Sequence, residues 1–435
     1  MIKIRLLVFV FLLTLMAFLL LFLFSLYNKR EKPPIVFVVF KSLRADHLPC
    51  YGYARNTTPN ICKIANDGIL FENAYSQGNH ITTSLPSLLT SLLPSSVGID
   101  AYDPIHPFQK ECLSYSFLSL PEALKDHGYT LVLQELPDFL LPFNQYEIGK
   151  VIKHLDPELI ARELKNESVF ILISPSKPNQ MPFMPSKNFR YIWENISDET
   201  LNLLEDKILK RCEICGIQLD NQSLQNQIDL YDEEILEADN LVGKIIEKLK
   251  EMKIYDKSFI IVTSLRGWLF GEHGGYIGCG HGPPYKEVIH VPLIIKFPNN
   301  LYSGKRINQN VRLIDIAPTI YEYLGIKASN IEGKSLLPII NGKNESLEVF
   351  AAAFPKRKVS VLREGYQFIY HPDILELCEK NEMKEYEIID LRKNEKINNF
   401  SLALQLSKLI CKRYTDGFRK RKMIENCYYW NERVS

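Results

Sequence analysis

What this chain has little of is net charge. Lysine and arginine total 52 against 51 aspartate and glutamate, a formal +1, and that balance excludes the broad basic surface of a nucleic-acid binder. There is no internal repeat and no low-complexity tract, which excludes a solenoid or a disordered linker protein. The nine cysteines are an odd number and lack paired metal-ligand spacing. Cys212-Glu-Ile-Cys215 is the only close pair, and without a second such pair it reads as a local disulfide or two unrelated thiols rather than a zinc site.

What is present is an ordinary globular composition, 435 residues with 46% hydrophobic and 24% charged content, enough for a large core. The exception is the start. Leu6 to Tyr27 carries no charge and would measure about 33 Å as a helix, the thickness of a hydrocarbon core. It reads as a membrane anchor. A cleavable signal peptide is the competing reading, but its apolar core runs only about 7–15 residues and ends in small side chains, whereas this one ends Phe24-Ser25-Leu26-Tyr27-Asn28-Lys29-Arg30. Lys3 and Arg5 precede the segment and Lys29, Arg30 and Lys32 follow it, so the charge rule leaves the orientation open. Asn-X-Ser/Thr sequons begin at Asn56, Asn166, Asn195, Asn221, Asn344 and Asn399. They matter only in a compartment that glycosylates.

After Pro33-Pro34, apolar β-rich runs alternate with helical patterns. Ile35–Phe40, Tyr129–Leu133, Val169–Ile173, Ser258–Thr263 and Val291–Phe297 read as buried strands. Helices are predicted at Ser84–Leu92, Leu118–His127, Gln225–Met252 and Asp315–Leu324. Fully apolar strands separated by helices imply a largely parallel sheet covered on both faces. The long helix carries an apolar stripe from Ile228 through Ile235, Val242 and Leu249; its Tyr231, Asp232 and Glu233 read as a solvated face. Past Gly342 come short alternating strands (Val359–Arg363, Tyr366–Tyr370, Tyr386–Asp390) and an amphipathic helix, Ser401–Tyr414, which suggest a small α+β subdomain. The run Arg419-Lys420-Arg421-Lys422 reads as a solvated helix end. The expected organisation is an anchor over 1–33, an α/β domain over 34–342 and a C-terminal subdomain over 343–435.

The motifs carry a resemblance. Ser42-Leu43-Arg44-Ala45-Asp46-His47-Leu48, Cys50-Tyr51-Gly52-Tyr53, Asn56-Thr57-Thr58-Pro59-Asn60, Asn73-Ala74-Tyr75-Ser76-Gln77-Gly78 and Ser84-Leu85-Pro86-Ser87 resemble the sulfatase branch of the alkaline-phosphatase superfamily. Gly271-Glu272-His273-Gly274, Gly280-His281-Gly282, the run Val291 to Lys296, Leu313 to Thr319 and Glu332 to Pro338 continue it in collinear order to about residue 395. The resemblance implies a three-layer α/β sandwich of alkaline-phosphatase type with a largely parallel central sheet. It also implies hydrolysis of sulfate or phosphate esters by a formylglycine, Ser or Thr nucleophile beside a divalent cation. The cation is needed because an anionic ester repels an anionic nucleophile, and a hard metal with oxygen ligands neutralises the developing charge.

At the positions where the family carries its metal ligands, this chain departs. The first family Asp is Lys41, and the acid that often follows is Ser42. The later Asp and His or Asn are Leu265 and Arg266, and a family His falls at Gln180. No metal and no other cofactor is therefore expected. The exchange leaves the pocket about two charges more positive than a loaded family site. Ser84 falls at the nucleophile position, but the Arg or His expected four residues on is Leu88; from its local pattern alone Ser84 reads as a helix N-cap. His281, between two glycines that permit close approach to a ligand, reads as a former active-site group, while His47, His127 and His290 read as structural, as do Glu272 and His273. The expectation is a single-pass membrane protein with its domain outside the cytoplasm, a pseudoenzyme in which Lys41, Arg266 and His281 contact a sulfate, phosphate or carboxylate group. The rivals are an active hydrolase using Ser84 with a different metal arrangement, a phosphoglycerol or phosphoethanolamine transferase, and a structural partner of an active paralogue.

Overall fold

The structure is a computed structural model, and it describes residues 16, 32–97, 118–136, 145–164, 168–178, 183–190, 192–193, 219–273, 277–278, 282–353, 358–372, 377–378, 383 and 385–422. The anchor expected at Leu6–Tyr27 falls outside these apart from Met16, as do Gln180, His281, Cys212, Cys215, Asn166 and Asn195. Among the described residues no helix is long and apolar enough to cross a membrane.

The first strand shows how the fold is specified. In β1 (Ile35–Phe40) every residue is buried; Ile35, Phe37 and Val39 enter one core and Val36, Val38 and Phe40 the other, as a period of two requires. Both faces of the sheet are covered, which is why the strand is apolar throughout rather than alternating. In chain order follow α1 (Pro59–Asn66), β2 (Ile69–Tyr75), α2 (Ile81–Thr90), α3 (Leu120–Asp126), β3 (Thr130–Gln134), β4 (Lys150–Ile152), α4 (Pro157–Glu163), β5 (Val169–Ile173), α5 (Asn221–Glu251) and β6 (Phe259–Ser264). A ribbon of β7 (Leu269–Phe270) and β8 (Ile277–Gly278), then β9 (His290–Lys296), β10 (Lys305–Arg312) and α6 (Ile316–Leu324), complete the first unit.

The central sheet has eight strands in the order β10-β2-β9-β6-β1-β5-β3-β4. All neighbours are parallel except the two pairs made by β9, which runs antiparallel to β2 and β6. Helices α2, α3 and α6 pack on one face and α1, α4 and α5 on the other, giving the expected three layers. A second sheet, β11 (Val349–Ala353), β12 (Lys358–Arg363), β13 (Tyr366–Tyr370), β14 (Tyr386–Asp390) and β15 (Glu395–Ile397), is antiparallel throughout. Its Phe350, Val361, Phe368 and Ile388 face α7 (Phe400–Lys422), while Val349, Leu362, Ile369 and Ile389 face Tyr75, Tyr285 and Ile289 of the first unit.

Two expectations are corrected. Tyr231, Asp232 and Glu233 are not a solvated face: their exposures are 0%, 0% and 1%. Residues 183–190 and Ile192 lie over this part of α5, and the helix acids accept backbone N–H groups from them, Met184 on Glu234 at 2.7 Å and Ile192 on Glu233 at 2.6 Å. From the other side Asp232 takes His47 at 2.7 Å, the Tyr53 hydroxyl at 2.6 Å and Arg55 at 2.9 Å. These acids stay buried because each meets a donor. The second correction concerns α2, which starts at Ile81 and not at Ser84. His80 is the N-cap, its Nδ1 accepting from the Thr82 N–H at 3.3 Å, so Ser84 stands inside the helix; a histidine cap is outside the usual Ser/Thr/Asp/Asn signal.

Candidate functional site

Because β6, β1 and β5 are adjacent and parallel, their carboxyl ends deliver Arg266, Lys41 and Ser174 to one edge of the sheet, where open α/β sheets bind ligands. Lys41, Ser174 and Leu265 line one small cleft there with Leu136 and, from α2, Ile81 and Leu85. Its free volume is about 10 Å³, room for about one water. Aliphatic side chains fill most of the remaining space.

Lys41 and Arg266, which stand where the resemblance implied metal ligands, lie close enough for their charges to interact. Lys41 is half-buried, and its amine is held below the ordinary lysine value first by burial and then by the charge of Arg266. Among the described residues no carboxylate pairs with it. Arg266 is 4% exposed; its Nε donates to the Ser42 Oγ at 3.0 Å and its guanidinium lies 5.8 Å from the Trp268 ring centroid. The Ser42 carbonyl accepts from the Tyr231 hydroxyl at 2.9 Å, which in turn accepts from the Arg44 N–H at 2.9 Å. The loop after β1 is thereby tied to α5.

Ser84 is 1% exposed. Its Oγ donates to the Gly78 carbonyl at 3.0 Å and lies 2.9 Å from the Ser76 Oγ, which itself reaches the Leu265 carbonyl at 2.6 Å. A hydroxyl has one hydrogen, and these partners occupy it; none of them is a base that would activate the oxygen. Leu88, where the family has Arg or His, is fully buried in the apolar core. The segment before α2 is pinned to the second sheet. Gly78 bridges Ala352, the Ala352 N–H donates to the Gln77 carbonyl at 3.0 Å, the Gln77 Oε1 accepts from the Ile314 N–H at 3.1 Å, and the Asn79 Nδ2 donates to the Gly282 carbonyl at 2.8 Å.

The divalent cation implied by the family does not fit these residues. A hard cation takes several oxygen ligands, most of them carboxylate, and the side chains standing at the strand ends are an ammonium, a hydroxyl already bound to arginine, an aliphatic group and a guanidinium. Among the described residues no three His, Cys, Asp or Glu side chains converge on one point. The nearby acids are committed to structure. Arg44 binds Asp46 through two hydrogen bonds of 2.8 and 2.7 Å, and also Glu272 and the Trp268 carbonyl. Burial raises the Asp46 carboxyl, but the hydrogen bonds and charge of Arg44 outweigh it and hold the group well below the usual range. His273 bonds Glu287 at 2.7 Å and stacks on Tyr285 at 3.7 Å. The buried cluster of His47, Tyr53, Arg55, Asp229 and Asp232 was missed from sequence, although its signal was there: Asp232 lies four residues after Ile228 and three before Ile235, on the apolar stripe itself.

With this geometry in view, the comparisons are clear about kinship. The family model described as Sulfatase matches residues 33–135 and 133–326, and a model described as N-sulphoglucosamine sulphohydrolase, C-terminal, matches residues 271–411. This chain belongs to the sulfatase family. An ulvan-active sulfatase of Formosa agariphila is 22% identical over 74% of this chain and 57% of its own length. An N-acetylglucosamine-6-O-sulfatase of Bacteroides thetaiotaomicron is 20% identical over 73% of each. A solved structure in complex with D-glucosamine-2-N,6-O-disulfate superposes with a TM-score of 0.67 at 18% identity, covering 89% of this chain and 99% of that one. The alkaline-phosphatase-like fold and its C-terminal antiparallel sheet are thus shared along nearly the whole chain.

Proposed function

We propose that this protein is a sulfatase-fold pseudoenzyme that holds a small anionic group, a sulfate, phosphate or carboxylate, at Lys41 and Arg266 without hydrolysing it, with Ile81 and Leu85 of α2 moving aside to admit a group larger than the one water the cleft now has room for. The observation that carries this reading is the meeting of two cations at a largely dry strand edge, with no described carboxylate beside Lys41. Like charges repel strongly where water is scarce, and an anion beside Lys41 relieves that repulsion. Kinship with an ulvan-active sulfatase and an N-acetylglucosamine-6-O-sulfatase favours a sulfate ester as the ligand. The apolar amino-terminal run would anchor the chain to a membrane. Disulfides Cys50–Cys62 and Cys378–Cys411 support an orientation that places the domain on the oxidising side.

A second reading, an active sulfuric- or phosphate-ester hydrolase using Ser84, is favoured by those same relatives being enzymes. One set of measurements separates the two. Sodium sulfate is titrated into the full chain in detergent, followed by calorimetry and thermal unfolding, and aryl sulfate turnover is assayed with Ca²⁺, Mg²⁺ and Mn²⁺ added in turn. Sulfate at a hundredfold excess over its dissociation constant should stabilise the protein by about 2.7 kcal/mol; Lys41→Ala should lose that gain and Lys41→Arg should keep it. Equal response of all three proteins would reject the anion site. Metal-stimulated turnover lost on Ser84→Ala would establish the hydrolase.

A further inference from the structure

Four sequons lie among the described residues, and the same pattern holds at each. Asn56, Asn221, Asn344 and Asn399 are exposed, and none of their amide nitrogens donates a hydrogen bond to another described residue. Asn344 and Asn399 use only the amide oxygen, accepting from Gln309 at 3.3 Å and from the Leu402 N–H at 3.0 Å. Some asparagines outside sequons do donate, the nitrogens of Asn60, Asn73 and Asn79 reaching Asp239, the Asn308 carbonyl and the Gly282 carbonyl, while others such as Asn341 and Asn394 do not donate to another described residue. Asn399 is the most informative of the four. It caps α7 through its oxygen, so its nitrogen is open, and the next residue is Phe400, 63% exposed, with Leu404 38% exposed one turn on. Phe400 is the most exposed large hydrophobic side chain among the described residues, and Leu404 beside it makes the two a small apolar patch.

We propose that the exposed sequons are N-glycosylation sites, foremost Asn399, whose glycan covers Phe400. This rests on the extracytoplasmic orientation given above. In the transfer, the Asn399 amide nitrogen attacks the anomeric carbon of a polyprenyl phosphate-linked oligosaccharide. A nitrogen–carbon bond forms, the carbon–oxygen bond to phosphate breaks, the polyprenyl phosphate leaves with that electron pair, and the amide proton passes to a base of the transferase. The Asn399 oxygen still caps α7 afterwards, since only the nitrogen is substituted. The flat carbon–hydrogen face of the first sugar then lies against the Phe400 ring and removes it from water.

The test expresses the full chain in a host with an oxidising secretory compartment and an oligosaccharyl transferase. Peptide mapping before and after glycosidase reads each asparagine, and thiol alkylation with and without reduction reads the disulfides. Asn399 should carry a glycan. Ser401→Ala should remove that glycan and raise binding of a fluorescent hydrophobic dye severalfold, whereas Ser401→Thr keeps the sequon and should retain the glycan and the low dye signal. An unmodified Asn399 in a chain whose Cys50–Cys62 and Cys378–Cys411 bonds have formed overturns the glycan proposal alone. Free thiols at those four cysteines overturn the orientation on which it rests.

Discussion

Replacing Glu234 with glutamine should shift the stability difference toward the variant by up to about 3 kcal/mol between pH 4 and pH 8. Glu234 is 5% exposed on α5, and its Oε1 accepts the Met184 N–H at 2.7 Å. Burial raises its carboxyl, against the opposing pull of that N–H and of Lys177, from the ordinary 4.5 to about 7. The folded state therefore holds this proton more tightly than the unfolded chain does, so between pH 4.5 and about 7 stability falls as pH rises. A tenfold change in acidity corresponds to about 1.4 kcal/mol, and the full displacement amounts to about 3 kcal/mol once the carboxylate is ionised. Glu234→Gln keeps an oxygen for Met184 and removes the charge. Urea unfolding of both proteins from pH 4 to pH 8 should show a difference that grows toward glutamine by up to about 3 kcal/mol. A dry amide hydrogen would subtract a constant 1–3 kcal/mol at every pH, so the slope of the difference is the test. A difference that is flat with pH refutes the assignment of a raised carboxyl here.

Gly333→Ala should cost about 3 kcal/mol in the same assay, because the added Cβ would stand 1.9 Å from the Ile314 carbonyl oxygen and 2.4 Å from the Ser91 Oγ, two atoms already bonded to each other at 2.6 Å; a loss under about 1 kcal/mol would show that the loop gives way. Lys296 is fully buried among the carbonyls of Tyr255, Asp256, Ser258 and Phe297, and burial lowers its amine to about 8. Across pH 8 to 10.5 the unfolded chain then holds more protons, so this group makes stability rise with pH; Lys296→Met should lack that rise, and an identical pH profile in both proteins would count against the lowered amine.

The apolar strands of the first unit were legible because a sheet buried on both faces leaves a continuous hydrophobic run. β2 and β10 were not. Glu72 and Asn73 interrupt the first, and β10 carries Lys305, Arg306, Asn308, Gln309 and Asn310 because it is an edge strand, with one side unpaired; both pairings of β2 shift register near these polar residues. The positions of Lys41 and Arg266 came from the resemblance, and parallel neighbouring strands β1 and β6 bring their ends together whatever side chains stand there. What could not be read was the filling: that Ile81, Leu85, Leu136 and Leu265 converge on Lys41 depends on long-range packing that no local spacing encodes. The buried acids of α5 failed for a related reason, their donors Met184, His47, Tyr53 and Arg55 lying far away in sequence; the cap of α2 failed because histidine, although its partner Thr82 is local, is outside the usual capping residues.

The backbone pairing of Gly78 and Gln77 with Ala352 means that the two sheets are not separable modules joined by a tether. Cutting the chain ahead of Val349 would strip the stretch holding Ser76 and Ser84 of its outer support, and the floor of the crevice would lose its shape although every residue lining it survived. The carboxyl-terminal fifth of the chain is thus part of the site's foundation, and any shortened version meant to isolate the crevice would have to carry it.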